Sequence, residues 1–239
     1  MLFAAGEGKR MRPLSLHTPK PLLPVAGTPL IVWHLRRLAQ LGVERVVINV
    51  NYLGEQIMQA LGDGSTWGLQ LVYSPENSWL ETGGGLLQAL PLLGSQPFWL
   101  LNGDVWCSSW PQFPPPEADE LAFIWLVPNP PQHPHGDFYF NKSTAIIANQ
   151  PFAGAQAYTF TGISRLHPQI LTASWLQAAY PDLPQPLCAG QGFKLAPLLR
   201  TLVQQQRVSA GVFTGDWVDV GTPQRLAELN LHLSQQSQA

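Results

Sequence analysis

Residues 4–14 read "AAGEGKRMRPL" and residues 19–31 read "PKPLLPVAGTPLI". A short apolar run, "MLFAA", leads into Gly6 and Gly8. Lys9, Arg10, Arg12 and Lys20 then follow within a few residues, four of the thirteen Lys and Arg residues in the chain. Glycine and alanine let main-chain N–H groups approach an anion closely, so this pattern reads as a strand opening into a phosphate-binding loop. Two common loops do not fit. A Walker A loop needs four residues between its glycines and then Gly-Lys-Ser/Thr, which "GEGKR" lacks. A dinucleotide fingerprint needs a third glycine at position 11, where the chain has Met11.

The rest of the chain alternates short β-branched or apolar runs with amphipathic segments. "PLIVWHLRRLAQLG", "VERVVINVN", "LGEQIMQALG", "LQLVYS", "GGGLLQALPLLG", "FWLLNGD" and "LAFIWLV" follow one another, which predicts βαβ units and a mostly parallel sheet flanked by helices. Thr28 as N-cap, Pro29 at the first helical position and Gly42 at the end bracket the first helix. From residue 128 the texture changes. "PNPPQHPHG" is a proline-rich loop, "DFYFNKSTAIIAN" reads as a hairpin turning near Asn141 and Lys142, and "AYTFTGISRL" reads as another strand. "FKLAPLLRTLVQQQ", "VSAGVFTGDWVDVG" and "PQRLAELNLHLSQQ" read as a closing helix, strand and helix. The organisation expected is a single Rossmann-like α/β domain over 1–239. Within it, 1–127 binds nucleotide, 128–192 forms a small β-rich lobe, 193–233 closes the fold and 234–239 is a frayed tail.

Composition narrows the chemistry. The chain has 239 residues, is 45% hydrophobic and 12% charged, and carries a formal net charge of −2. That balance offers no broad electrostatic footprint for nucleic acid or an anionic membrane, so a polyanion must be met locally. Apolar stretches fall short of the ~20 residues a membrane span needs. Cys107 and Cys188 stand 81 residues apart without a metal-type spacing, which fits a reducing, cytoplasmic setting.

Two carboxylates stand out. "PFWLLNGDVW" is an apolar strand that ends on Asp104, and "GDWVDVGT" presents Asp219 in the same manner 115 residues later, with Asp216 as a nearby competitor. Strand ends of this kind are where open α/β folds bind ligands. Two converging aspartates suffice for Mg²⁺, which takes its other ligands from water and substrate phosphates. His133 and His135 in "PQHPHG" lack a third ligand and read as a surface loop.

The ordered set "AAGEGKRMRPL", "PKPLLPVAGTPLI", "NGDVW" at 102–106, "TGIS" at 161–164 and "WVDVGT" at 217–222 resembles the sugar-1-phosphate nucleotidyltransferases, which join a nucleoside triphosphate to a sugar 1-phosphate and release pyrophosphate. The resemblance implies that Arg10 contacts the leaving part of the triphosphate and Lys20 the α-phosphate. It implies that Asp104 and Asp219 hold Mg²⁺, and that Ala5, Gly6, Gly8 and Lys9 complete the loop around the nucleotide. Gly83, in "ETGGG", would lie at the nucleobase. Gly136, Asp137, Asn102 and Lys194 would serve the sugar. "ETGGG", "NGDVW" and "FKLAPLL" together resemble family members that use UTP and the 1-phosphate of a muramate-type cell-wall sugar. The chain has "IIANQPFAG" where many members carry a Glu-Lys-Pro segment, so a familiar sugar-binding carboxylate and lysine are missing.

Overall fold

"RVVINV" at 45–50 is β-branched at four of six positions, and every residue but Arg45 is buried, as expected of a parallel strand covered on both faces. The computed structural model describes residues 1–236. In chain order the strands and helices begin with β1 (Leu2–Phe3), β2 (Pro24–Val25), β3 (Thr28–Pro29), α1 (Leu30–Gln40), β4 (Arg45–Val50), α2 (Gly54–Leu61) and β5 (Gln70–Pro75). Then come α3 (Glu81–Leu93), β6 (Phe98–Asn102), β7 (Val105–Cys107), β8 (Ala122–Pro128), β9 (Phe138–Asn141), β10 (Ile146–Ala148) and β11 (Gln156–Leu166). The chain ends in α4 (Ala173–Ala179), α5 (Leu195–Gln204), β12 (Val208–Val212), β13 (Trp217–Asp219) and α6 (Pro223–Gln236). The fold is α/β, with helices flanking parallel strands.

The chain divides into two units. One comprises 1–79, 102–110 and 216 onward; the other comprises 80–101 and 111–215. In the first, β4 pairs in parallel with β1 and with β5, and β4, α2 and β5 make one βαβ crossover. β7 and β13 form a separate antiparallel pair. A core of Met11, Leu23, Val25, Leu30, Trp106, Val220, Leu226, Leu229 and Leu233 lies beneath that pair. Leu226, Leu229 and Leu233 form one stripe of α6. Met11 is fully buried in this core. That is the physical reason the loop carries a long apolar side chain where a dinucleotide fingerprint has glycine: the loop is pinned to the core at its middle.

In the second unit the long strand β11 is central. It pairs antiparallel with β6, β8 and β9, β10 extends β9, and β12 adds in parallel to β8. α5 packs on α3 and α4 through its buried face of Leu195, Leu198, Leu199, Leu202 and Val203.

Some local expectations shift. α1 begins at Leu30, not Pro29, because Thr28 and Pro29 are held in a hairpin with Pro24 and Val25. Gly42 does close the helix, at φ 75°, a conformation glycine adopts without strain. "VSAGVFTGDWVDVG" is two strands, β12 and β13, and each belongs to a different unit. The turn after β9 is closed by Asn141, whose Oδ1 accepts from Ser143 N and Thr144 N. α6 remains helical to Gln236, and the rest of the expected tail, 237–239, lies outside the described residues.

Candidate active site

The first unit brings Asp104 and Asp219 together by strand pairing. β13 runs antiparallel to β7 with Asp219 opposite Val105, and Val220 N donates to the Asp104 carbonyl at 2.8 Å. Asp216, the competitor, is exposed at the far end, where its main chain exchanges hydrogen bonds with Ser108. Gly103 lets the turn before Asp104 press against β1: its N–H donates to the Phe3 carbonyl at 3.0 Å, and a Cβ there would lie 2.1 Å from that oxygen. The glycine loop and the first aspartate are therefore fixed to the same strand end.

Helix α1 steadies β7 from behind. His34 and Arg37, about one turn apart, both address its main chain. Arg37 donates to the carbonyls of Cys107 and Ser108 at 2.7 and 2.8 Å. The His34 ring bonds the main chain of Val105, and burial pushes its pKa down to about 4, so it is neutral at pH 7.

The four loop cations meet different fates. Lys9 and Arg12 both pair with Glu7, Lys9 at 3.2 Å, so one carboxylate is shared between two cations. Lys20 is buried, and its Nζ reaches Asp104 Oδ2 at 2.8 Å. Gly8, at φ 64°, lies over the Lys20 side chain, and its carbonyl accepts from Ser15 Oγ and Met11 N. Among the described residues Arg10 has no ion-pair partner and is exposed. Its guanidinium converges with the Asp219 carboxylate over Gly221, where a Cβ would sit 3.2 Å from Arg10 Nη2 and 2.9 Å from Asp219 Oδ1. Gly6 faces open space, and buried Ala5 follows Ala4, whose N–H donates to Asn49 Oδ1 at 2.9 Å.

Sequence reasoning missed two supports of this arrangement. Asn49 is a buried amide in an otherwise apolar strand; it holds Ala4 and is itself held by Glu76 Oε1 at 2.7 Å. A polar residue inside "VVINV" was the available signal. Arg225 on α6 pairs with Asp219, Nη1 to Oδ2 at 2.6 Å. Nothing in its spacing announced it.

The residues fit a divalent cation. Asp219 Oδ1 is buried and has no hydrogen-bond partner among the described residues, an arrangement that is costly unless something electropositive meets it. Asp104, whose main-chain carbonyl accepts from Val220 N, has only Oδ2 of its carboxylate engaged among the described residues. Among the described residues no group of three or more His, Cys, Asp or Glu residues gathers to enclose a metal alone. Two carboxylate oxygens without soft donors suit a hard cation that shares its shell with phosphates and water.

The second unit holds the remaining candidates except Asn102. Gly83 N and Gly84 N both donate to the Phe193 carbonyl, at 2.7 and 3.0 Å, and a Cβ at Gly83 would meet the Phe193 ring at 2.4 Å. Glycine is required there by packing against 191–193. Asp137 is fully engaged: Oδ1 meets His133 Nε2 at 3.2 Å and Oδ2 accepts from Phe160 N at 2.8 Å. Gly136, at φ 65°, brings the chain within contact of Asn129 and the Tyr158 carbonyl. Lys194 is exposed at the N-terminal end of α5, whose first amide, Leu195 N, is capped by Thr82 Oγ1 at 2.9 Å. Asn102, in the first unit, ends β6 two residues before Asp104.

Residues 1–120 match the family model described as Nucleotidyl transferase. The chain is 45% identical over 240 aligned positions to N-acetylmuramate alpha-1-phosphate uridylyltransferase of Neisseria meningitidis serogroup B, covering 95% of each chain. It is 31% identical to the Caulobacter vibrioides protein of that name, over 94% of this chain and 92% of the relative. Among solved structures, a putative glucose-1-phosphate thymidylyltransferase from Bacillus anthracis shares the fold at a TM-score of 0.75 and 19% identity, covering 97% of this chain and 93% of that one. Family members of this kind generally use a divalent metal, and no helix among the described residues is long and apolar enough to cross a membrane. The chain belongs to the nucleotidyl transferase family, and within it to the sugar-1-phosphate nucleotidyltransferases.

Proposed function

We propose that this enzyme transfers the uridylyl group of UTP to N-acetylmuramate α-1-phosphate, giving UDP-N-acetylmuramate and pyrophosphate, as a cytoplasmic step in reuse of cell-wall sugar. The similarity over nearly the whole length to two relatives carrying that name supports the substrates. The observation that carries the chemistry is the meeting of Asp104, Asp219, Lys20 and Arg10 at one strand end.

A phosphate oxygen of the sugar 1-phosphate attacks the α-phosphorus of UTP. The new P–O bond forms as the bond to the bridging oxygen breaks, and the electron pair leaves with pyrophosphate. The nucleophile is already an anion at pH 7, so no general base is needed. Catalysis then rests on charge neutralisation and alignment. Lys20 exchanges Asp104 for the α-phosphate and follows the charge that builds there. Arg10, multidentate and without an ion-pair partner among the described residues, holds the β- and γ-phosphates and stabilises the departing pyrophosphate. Ala5, Gly6, Gly8 and Lys9 line the triphosphate with small side chains and main-chain donors, and Gly83 lies along the base. Asp104 and Asp219 would hold Mg²⁺, which supplies electrostatic clamping of the phosphates. Asn102, Gly136, Asp137 and Lys194 serve the sugar, with Lys194 answering the lactyl carboxylate of muramate.

The test is a panel of the four nucleoside triphosphates against the 1-phosphates of N-acetylmuramate, N-acetylglucosamine, glucose and mannose, with pyrophosphate release as readout. UTP with N-acetylmuramate α-1-phosphate gives the highest kcat/KM on this reading. Preference for GTP with mannose 1-phosphate would replace it with guanylyl transfer.

A further inference from the structure

We propose that Arg225 is a positioning residue for the metal site: it clamps Asp219 by one oxygen so that the other faces the incoming cation. This rests on the proposed role of Asp219. The ion pair is close, Nη1 to Oδ2 at 2.6 Å, and both side chains are largely buried, at 15% and 27% exposure. A carboxylate held in this way has one rotational setting, and in that setting Oδ1 is buried with no partner among the described residues. If the pair served only to fasten α6 to β13, nothing would require the second oxygen to be left bare. A bidentate fork would satisfy both oxygens and hold the elements as well.

Two residues prepare the clamp. Thr222 Oγ1 accepts from Arg225 Nε at 3.4 Å and from Arg225 N at 3.3 Å, fixing the guanidinium and capping the helix with one hydroxyl. Gly221 clears the path of the side chain: a Cβ there would stand 2.3 Å from Arg225 Nη2. Its φ is not in the left-handed region, so the glycine is needed for space and not for backbone shape. The run Asp219-Val220-Gly221-Thr222 with Arg225 is thus one device: ligand, spacer, clearance, brace and clamp. Arg225 also balances the carboxylate pair. Lys20 pairs with Asp104 and Arg225 with Asp219, so each of two acids at adjacent main-chain positions has its own cationic partner.

The experiment measures Mn²⁺ binding by electron paramagnetic resonance, with UTP present and no sugar phosphate, on wild type and on Arg225→Gln, Arg225→Lys, Gly221→Ala and Asp104→Asn. Thermal unfolding checks each fold. Arg225→Gln is expected to weaken Mn²⁺ roughly 10- to 100-fold, as loss of an outer-shell partner does, with Arg225→Lys recovering part of it. Gly221→Ala, whose methyl would stand 2.3 Å from Arg225 Nη2 and 2.9 Å from Asp219 Oδ1 and so disturbs both members of the pair, is expected to shift affinity in the same direction and stands in if Arg225→Gln does not fold. Unchanged Mn²⁺ affinity in folded Arg225→Gln, or in Gly221→Ala, overturns the proposal, even if turnover falls. Asp104→Asn separates this from the underlying reading. If wild type and Asp104→Asn bind Mn²⁺ equally, the carboxylate site itself is wrong. If Asp104→Asn loses Mn²⁺ while the Arg225 variants keep it, only the clamp is wrong.

Discussion

His34 provides a measurable pH signature of the support beneath the site. It is 3% exposed, its Nε2 has no partner among the described residues, and burial lowers its pKa from 6.5 to about 4. The unfolded chain protonates this ring near pH 6.5, whereas the folded chain resists until about pH 4, so the unfolded state binds more protons throughout that window. Stability supplied by neutral His34 is complete above pH 6.5 and is lost as pH falls towards 4. At about 1.4 kcal/mol per unit of pKa displacement, the loss approaches about 3 kcal/mol. In a chain of this size that is roughly 6–12 °C in Tm. The perturbation is His34→Gln, which keeps a hydrogen-bond donor for Val105 and cannot ionise. Urea unfolding of both proteins from pH 7.5 to 4.5 cancels every other titrating group to first order. The wild type should lose stability relative to the variant steadily below pH 6.5, with no divergence between pH 7 and 7.5. Parallel curves across the whole range would refute the argument that His34 is held neutral by burial.

Asp104→Asn should fold as the wild type does and lose at least about 100-fold in pyrophosphate release at ordinary Mg²⁺; full turnover would remove Asp104 from the metal site. Lys20→Ala should depress kcat far more than it raises KM for UTP, because the ammonium is needed most as charge builds at the α-phosphate. The opposite split would make Lys20 a ground-state anchor. Lys194→Ala should reduce kcat/KM for N-acetylmuramate α-1-phosphate more than for N-acetylglucosamine 1-phosphate, and an equal loss would show that Lys194 does not read the lactyl group. Gly83→Ala should destabilise the second unit by about 1–3 kcal/mol, since the new methyl meets the Phe193 ring; undiminished stability to denaturant would contradict the packing account.

The sequence made the cationic glycine loop and the strand-end aspartates legible because each is a local pattern: small residues followed by cations, and an apolar run that stops on an acid. β4 and α5 were readable for the same reason, through β-branched and helical periodicity. What escaped depends on partners distant in the chain or on choices between equals. Which cation stays unpaired is decided by Glu7, which engages Lys9 and Arg12 and leaves Arg10. Arg225 carries no local signal of its own, because its role depends on the clearance at Gly221 that lets its guanidinium reach the Asp219 carboxylate. Gly83 read as room for a nucleobase, yet the packing demand comes from Phe193, more than a hundred residues later. The start of α1 moved by one residue because a two-residue hairpin claimed Thr28 and Pro29.

The central claim is that Asp104 and Asp219 share one divalent ion on the triphosphate, with Arg10 on its leaving end. Anomalous diffraction from crystals grown with Mn²⁺ and UTP tests it directly. A manganese peak within coordinating distance of both carboxylates, with Arg10 on the β- and γ-phosphates, is the predicted result; a triphosphate-bound peak that touches neither aspartate would contradict it.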